Sequence, residues 1–237
     1  YQHWDPLEVC VVGQAYPPEF YSWIKDSKTR KKFEQVAIET EEDFQKLIQL
    51  LESFSVEVLR PHIPTQFNDC IVDGVWVPPP VTPRDYFIQI HDQLWVPVTP
   101  NANHAHNAFK KQTAKSWAQF QRHDQLKHVR KLQFYSEIFK QCNVKPTDCS
   151  YISGCFVGRL GKDLFFATQT VFDDWTAIQH QVDQLFPDTT NHIVDAQGHG
   201  DAVYCPVAPG LIISIADEDY KESFPNWEIV HLPESHY

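Results

Sequence analysis

Two side chains capable of proton transfer and ion pairing, His199 and Asp201, stand two residues apart in "GHGDAVYCPVAPGLIIS" (198–214). They head an apolar run broken by Pro209-Gly210, a pattern that predicts a buried hairpin whose first strand opens on two polar groups. Counted as a strand, period-two alternation puts His199 and Asp201 on one face about 6.6 Å apart along the axis, a spacing that suits one small planar ligand. A third polar candidate, Asp85, ends "PRD" (83–85) just before another apolar stretch. Each has a plainer reading: an aspartate after Pro-Arg can cap a turn, and a histidine at a strand head can be structural.

The six cysteines, at 10, 70, 142, 149, 155 and 205, form no CxxC pair and no short Cys/His cluster. They predict reduced thiols in the cytosol and no metal site or other cofactor. Cys205 shares the counted strand face with His199, but six extended residues separate the two by about 20 Å, beyond hydrogen-bond reach. Cys205 is therefore expected in the core, as is Cys10 inside the apolar "LEVCVVG".

The elements that must position these groups recur. "LEVCVVG" (7–13) reads as a strand, "TEEDFQKLIQLLESF" (40–54) as a helix capped by Thr40, with Phe44, Leu47, Ile48, Leu51 and Phe54 on one face, and "VEVLRP" (56–61) as a returning strand. "PRDYFIQIHDQLWVPV" (83–98) reads as two strands around His91-Asp92, followed by a helical stretch over about 113–142. A third unit has a hairpin over 151–169 turning at Gly161-Lys162, a helix over 171–186 and a strand over 191–196. A fourth has the hairpin at Pro209-Gly210 and a strand over 227–232. Equivalent features return roughly every 50 to 65 residues, which predicts one radial α/β domain over 1–237 whose hairpins point to a shared centre. Cys155, in "SGCFVGRLGKD", is the one internal thiol read as a candidate for that centre.

With 237 residues, 42% hydrophobic and 14% aromatic, the chain can bury a sizeable core. The net charge of −11 is dispersed, against nucleic acid or an anionic membrane as partner. "KDSKTRKK" (25–32) reads as a solvated loop or face. No apolar run is long enough to span a bilayer and no leader pattern opens the chain. The absence of methionine reads as a processed fragment or a sequence written without its selenomethionines. The oligomeric state is not legible, and a homo-oligomer is compatible with the sequence.

"WDPLEVCVVG" at the start, "PRD" at the head of the second unit and "HGD" followed by "PG" and an apolar strand resemble, in order and across most of the chain, the amidinotransferase branch of the guanidino-group modifying enzymes, the group that includes glycine amidinotransferase. The resemblance implies a pseudo-fivefold α/β propeller of hairpin-helix-strand units. It implies a central site that moves the amidino group of arginine to an acceptor amine through a covalent amidino-cysteine. A guanidinium is a planar cation with a fork of donors, matched by carboxylates that accept two hydrogen bonds at once. Asp85 and Asp201 match the branch's guanidinium-binding carboxylates, and His199 its general acid/base.

Two features depart from the branch. Cys155 stands at or beside a position where the branch has an acid, with none until Asp163 beyond the turn. The reactive cysteine belongs to a fifth, C-terminal unit, expected to follow Tyr237. Two other readings stand beside the transferase: an arginine-deiminase-like hydrolase using water as acceptor, and a non-catalytic guanidine-binding protein.

Overall fold

The computed structural model describes residues 5–72, 75–85, 87–90, 93–99, 132–144, 146–150, 154, 157–168, 175–195, 200, 204–214 and 224–232. From Ser27 to Ser53 the chain has neither proline nor glycine, and it forms one long helix, α1 (Ser27–Ser53). Asp26 caps it, its carboxylate accepting the Thr29 N–H at 2.7 Å. The helix therefore starts well before Thr40, which lies in its interior. Of the Lys25–Lys32 segment, Ser27 to Lys32 form its first turns, exposed except for the half-buried Arg30. Where a true cap precedes an uninterrupted run of helix formers, a second cap-like sequence inside the run is simply propagated through. Phe44, Ile48 and Leu51 are half-buried as read, but Leu47 and Phe54 are exposed.

Strands β1 (Val9–Val11) and β2 (Glu57–Leu59) flank α1 and pair in parallel, Val9 opposite Glu57 and Val11 opposite Leu59. A small hairpin follows, β3 (Ile71–Val72) with β4 (Val75–Trp76), and then a 3-10 turn over Pro83–Asp85. Strands β5 (Ile88–Ile90) and β6 (Gln93–Thr99) are antiparallel around positions 91–92, with β7 (Pro146–Ser150) on the other side of β6. Of the helical stretch read over 113–142, α2 (Ser136–Gln141) is seen; positions 113–131 lie outside the described residues.

Strands β8 (Val157–Leu160) and β9 (Asp163–Thr168) turn at Gly161-Lys162, and after α3 (Trp175–Leu185) strand β10 (Thr190–Asp195) joins β9 in parallel. Strands β11 (Tyr204–Ala208) and β12 (Leu211–Ser214) turn at Pro209-Gly210, and β13 (Glu228–His231) joins β12 in parallel. Gly161 and Gly210 have φ of 62° and 77°, the left-handed backbone these tight turns require. The plan is an α/β one in which a hairpin is followed by a parallel third strand.

Contacts group the chain into two compact units: Leu7–Tyr86 with Thr113–Pro146, and Tyr1–Pro6 and Phe87–Gln112 with Thr147–Tyr237. In the second unit β9 is apolar on both faces. Leu164 and Phe166 pack with Ile88, Trp95, Val182 and Phe186, while Phe165 and Ala167 pack with Val194, Tyr204, Ile212 and Phe224. That double burial is why "DLFFA" runs hydrophobic instead of alternating. In the first unit the core is aromatic: Tyr16 lies 5.1 Å from Phe20 and 6.1 Å from Trp76, and Trp23 stacks on Phe67 at 5.8 Å.

Arg60, just past β2, ties that strand to α1 through a forked pair with Glu41, Nη2 to Oε2 at 2.8 Å, and lies over the Phe44 ring. Burial raises the Glu41 carboxyl, but the Arg60 hydrogen bonds and charge, with Gln45 and the Ala15 N–H, outweigh it and hold the group below its ordinary value. A depressed carboxyl contributes stability above its unfolded pKa and loses it as pH falls through the folded one. Glu41→Gln is expected to cost about 1 kcal/mol at neutral pH, after allowing for solvent screening of this half-exposed pair. The difference from wild type in urea unfolding is expected to shrink as pH falls below the ordinary value of 4.5. A pH-independent difference contradicts the pairing.

Candidate functional site

Asp85 closes the 3-10 turn over Pro83–Asp85, its N–H donating to the Thr82 carbonyl at 3.1 Å, and the residue is half-buried. The segment leading into this turn is clamped by the continuation of β1. Val12 N–H donates to Leu59 O at 3.0 Å, Gln14 N–H to Pro80 O at 3.0 Å, and the buried Tyr16 hydroxyl to Val77 O at 2.9 Å. Between these bonds lies Gly13. A Cβ built there would sit 2.1 Å from the Val81 carbonyl oxygen and 2.6 Å from its carbon. Only a residue without a side chain lets the two backbones pass, so Gly13 sets the path of the strand-like segment that delivers Asp85.

In the other unit, Gly200 of "HGD" is buried with helical backbone, against Ala167 near the carboxyl end of β9. A Cβ on Gly200 would lie 3.0 Å from the Ala167 Cβ and 3.2 Å from the Tyr204 hydroxyl. His199, Asp201 and Cys155 lie outside the described residues. Gly200 between the first two is helical, and among the described residues the strand spans Tyr204–Ala208, so one continuous strand does not run from 199 to Cys205. Cys205 is corrected accordingly. Tyr204 and Pro206 are buried, and Cys205 between them is exposed, not core. Cys10 is half-buried, and burial pushes its thiol up, away from the thiolate form a nucleophile needs.

Each unit, taken by itself, thus carries a candidate motif at the same place in a β-α-β crossover. The Asp85 turn is anchored past the carboxyl end of β1, which pairs in parallel with β2. Gly200 is anchored at the carboxyl end of β9, which pairs in parallel with β10. The carboxyl ends of parallel strands are where α/β proteins bind ligands, because chain leaving the strands there can present side chains and backbone groups without disturbing the sheet.

Sequence reasoning missed one pair. Asp163, at the opposite end of β9, accepts from His192 of β10 at 2.8 Å, and the imidazole stacks on Phe165 at 4.7 Å. It could be found only from the register, in which Thr190 faces Asp163 and His192 faces Phe165. Cavities among the described residues include one of about 720 Å³ between α1 and the 14–18 segment and one of about 450 Å³ over Trp95, Phe186 and Lys162. Asp85 lines neither. Among the described residues no helix is long and apolar enough to cross a membrane.

No protein-family model and no curated protein matches the chain. Solved structures do. The inosamine-phosphate amidinotransferase of Streptomyces griseus superposes with a TM-score of 0.63 at 18% identity, over 99% of this chain and 75% of that one. The amidinotransferase of the saxitoxin pathway of Microseira wollei gives 0.63 at 17% identity, over 100% and 78%. A DDAH of Pseudomonas aeruginosa complexed with citrulline gives 0.54 at 7% identity, over 97% and 77%. What these likenesses define is the fold, an α/β fold that this chain shares with the two amidinotransferases and the DDAH. Within it, amidinotransferases give higher TM-scores and identities than the DDAH.

The two glycines make a graded test. Gly13→Ala must displace backbone and is expected to cost about 3 kcal/mol or more, whereas Gly200→Ala asks a methyl group and a ring to give by a few tenths of an ångström and is expected to cost about 1 kcal/mol. Urea midpoints of the two variants measure this, and equal costs would contradict the clamp around Val81.

Proposed function

We propose that the protein is an amidinotransferase that moves the amidino group of arginine to an acceptor amine. The observation that supports the reading is that the segment leading into the Asp85 turn crosses Gly13 just past the carboxyl end of β1, and the "HGD" glycine packs against Ala167 near the carboxyl end of β9, in a fold that amidinotransferases share. Asp85 and Asp201 hold the guanidinium fork. A cysteine thiolate attacks the guanidino carbon, His199 protonates the departing amine as the carbon–nitrogen bond breaks, and an amidino-cysteine forms. His199 then takes a proton from the acceptor amine, which attacks the amidino carbon and releases the thiolate.

In this reading the chain is one propeller-like domain closed by a fifth hairpin-helix-strand unit. The nucleophile sits on that unit, C-terminal to Tyr237. The solved chains, of which this one covers 75% and 78%, leave room for such a unit. The reduced thiols of Cys10, Cys142 and Cys205 fit a cytosolic setting.

Arginine titrated calorimetrically into wild type is expected to bind, and Asp85→Asn and Asp201→Asn are each expected to weaken binding ten- to a hundredfold, the loss of one charge-assisted pair. Equal binding by all three proteins removes both carboxylates from the site. Turnover of arginine only when an amine acceptor is added marks the transferase, turnover in water alone the hydrolase, and binding without turnover the non-catalytic protein. Sequencing the coding region tests the nucleophile. If a C-terminal cysteine is present and its replacement by serine leaves turnover intact, the covalent route is wrong.

A further inference from the structure

Along α1, Phe33, Val36, Thr40, Asp43, Leu47 and Leu50 follow one another in alternating steps of three and four, the seam of a heptad repeat. This seam is distinct from the face α1 turns to its own unit, where Ala37 is buried and Phe44, Ile48 and Leu51 are half-buried, and it meets that unit only at its edge, where Thr40 is half-buried and Phe33 touches Tyr21. It lies beside that face and is largely open to water: Val36 is 59% exposed, Leu47 42% and Leu50 56%, and Phe33 is 44% exposed although its ring also lies 5.5 Å from that of the buried Tyr21. A second apolar stripe on a helix that already packs by its first one needs a partner of its own.

We propose that the partner is a second copy of this chain, with the two α1 helices paired antiparallel about a two-fold axis that passes between Glu41 and Glu42. The pattern of the seam is self-complementary in that arrangement. Phe33 meets Leu50 of the second copy, Val36 meets Leu47, and Thr40 meets Asp43, each contact occurring twice by symmetry. The central Thr40–Asp43 layers are polar, the hydroxyl donating to the carboxylate, and polar layers of this kind fix register at some cost in stability.

The charges select the same arrangement. Beside the seam, Glu39 of one copy comes opposite Lys46 of the other. The basic first turns, with Lys28, Arg30, Lys31 and Lys32, lie toward the carboxyl end of the opposing helix, where Glu52 and the negative end of the helix dipole stand. A parallel pairing would set basic turns against basic turns. The contacts that must rearrange, Lys46 to Asp43 at 2.9 Å and Gln35 to Glu39 at 2.7 Å, are exposed and weak enough to give way.

The test is the mass of the full chain across a concentration series by sedimentation equilibrium. A dimer is expected. Glu39→Lys and Lys46→Glu singly are each expected to raise its dissociation constant about tenfold, and the two together to restore it, because the swap recreates both pairs with reversed sign. Leu50→Asp, at a position already in water, is expected to leave the thermal transition of the protomer in place and abolish the dimer. A protomer that stays monomeric at every concentration overturns the proposal. So does a dimer indifferent to Leu50→Asp, or one that the double swap fails to restore. Cross-links from α1 to another segment of the same chain in a monomer also overturn it, by showing the seam covered from within.

Discussion

The first unit depends on a contact from which a side chain has been left out. At Gly13 the chain leaving β1 crosses the backbone of Val81 so closely that a Cβ would fall 2.1 Å from a carbonyl oxygen. On either side of that crossing, backbone hydrogen bonds link Val12 to Leu59 and Gln14 to Pro80. A segment with prolines at 78, 79, 80 and 83 has few N–H groups with which to join a sheet. It is held instead by accepting bonds through its carbonyls and by the Tyr16 hydroxyl on Val77. The turn that bears Asp85 inherits its position from this crossing. The aspartate is thus fixed by residues some seventy positions earlier in the chain, through backbone geometry and not through its own neighbours.

Local signals were legible where local physics decides. Gly161-Lys162 and Pro209-Gly210 turn where the sequence places them, since a left-handed residue between two apolar runs leaves few alternatives. The start of α1 was not legible in the same way. Thr40 followed by Glu41, Glu42 and Asp43 looks like a cap, but a cap stabilises only where a helix begins, and Asp26 had already begun it. The parity of β11 failed for a related reason. Alternation counted from His199 needs one strand running through Gly200, which is helical, and within β11 it is Tyr204 and Pro206 that turn inward and Cys205 outward. The His192–Asp163 pair required a strand register that no single segment encodes.

The candidate site shows the same division. The residue types of "PRD" and "HGD" declared a chemistry, carboxylates and an imidazole suited to a planar cation, without showing how they would be held. What the fold adds is the way each motif is anchored, and in both units the anchor is a glycine packed against the carboxyl end of a strand or its continuation. Glycine at such a place is easily read as a flexible joint. Here it acts in the opposite sense, because close approach removes freedom from the chain that follows it.

The long helix carries the argument one step further. Asp26 and the unbroken run to Ser53 give α1 more length than one packing face requires, and the surplus is patterned. One face holds β2 through Arg60 and Glu41 and buries Ala37, while the adjacent seam repeats apolar residues at heptad spacing with a polar pair at its middle. Had the helix begun at Thr40, Phe33 and Val36 would not stand on it. The seam would keep only Leu47 and Leu50 as apolar members, too few to form closed layers with their own symmetry mates. The cap at Asp26 therefore does more than start a helix. By extending α1 through Phe33 and Val36 it gives the seam its second half, and antiparallel self-pairing needs both halves.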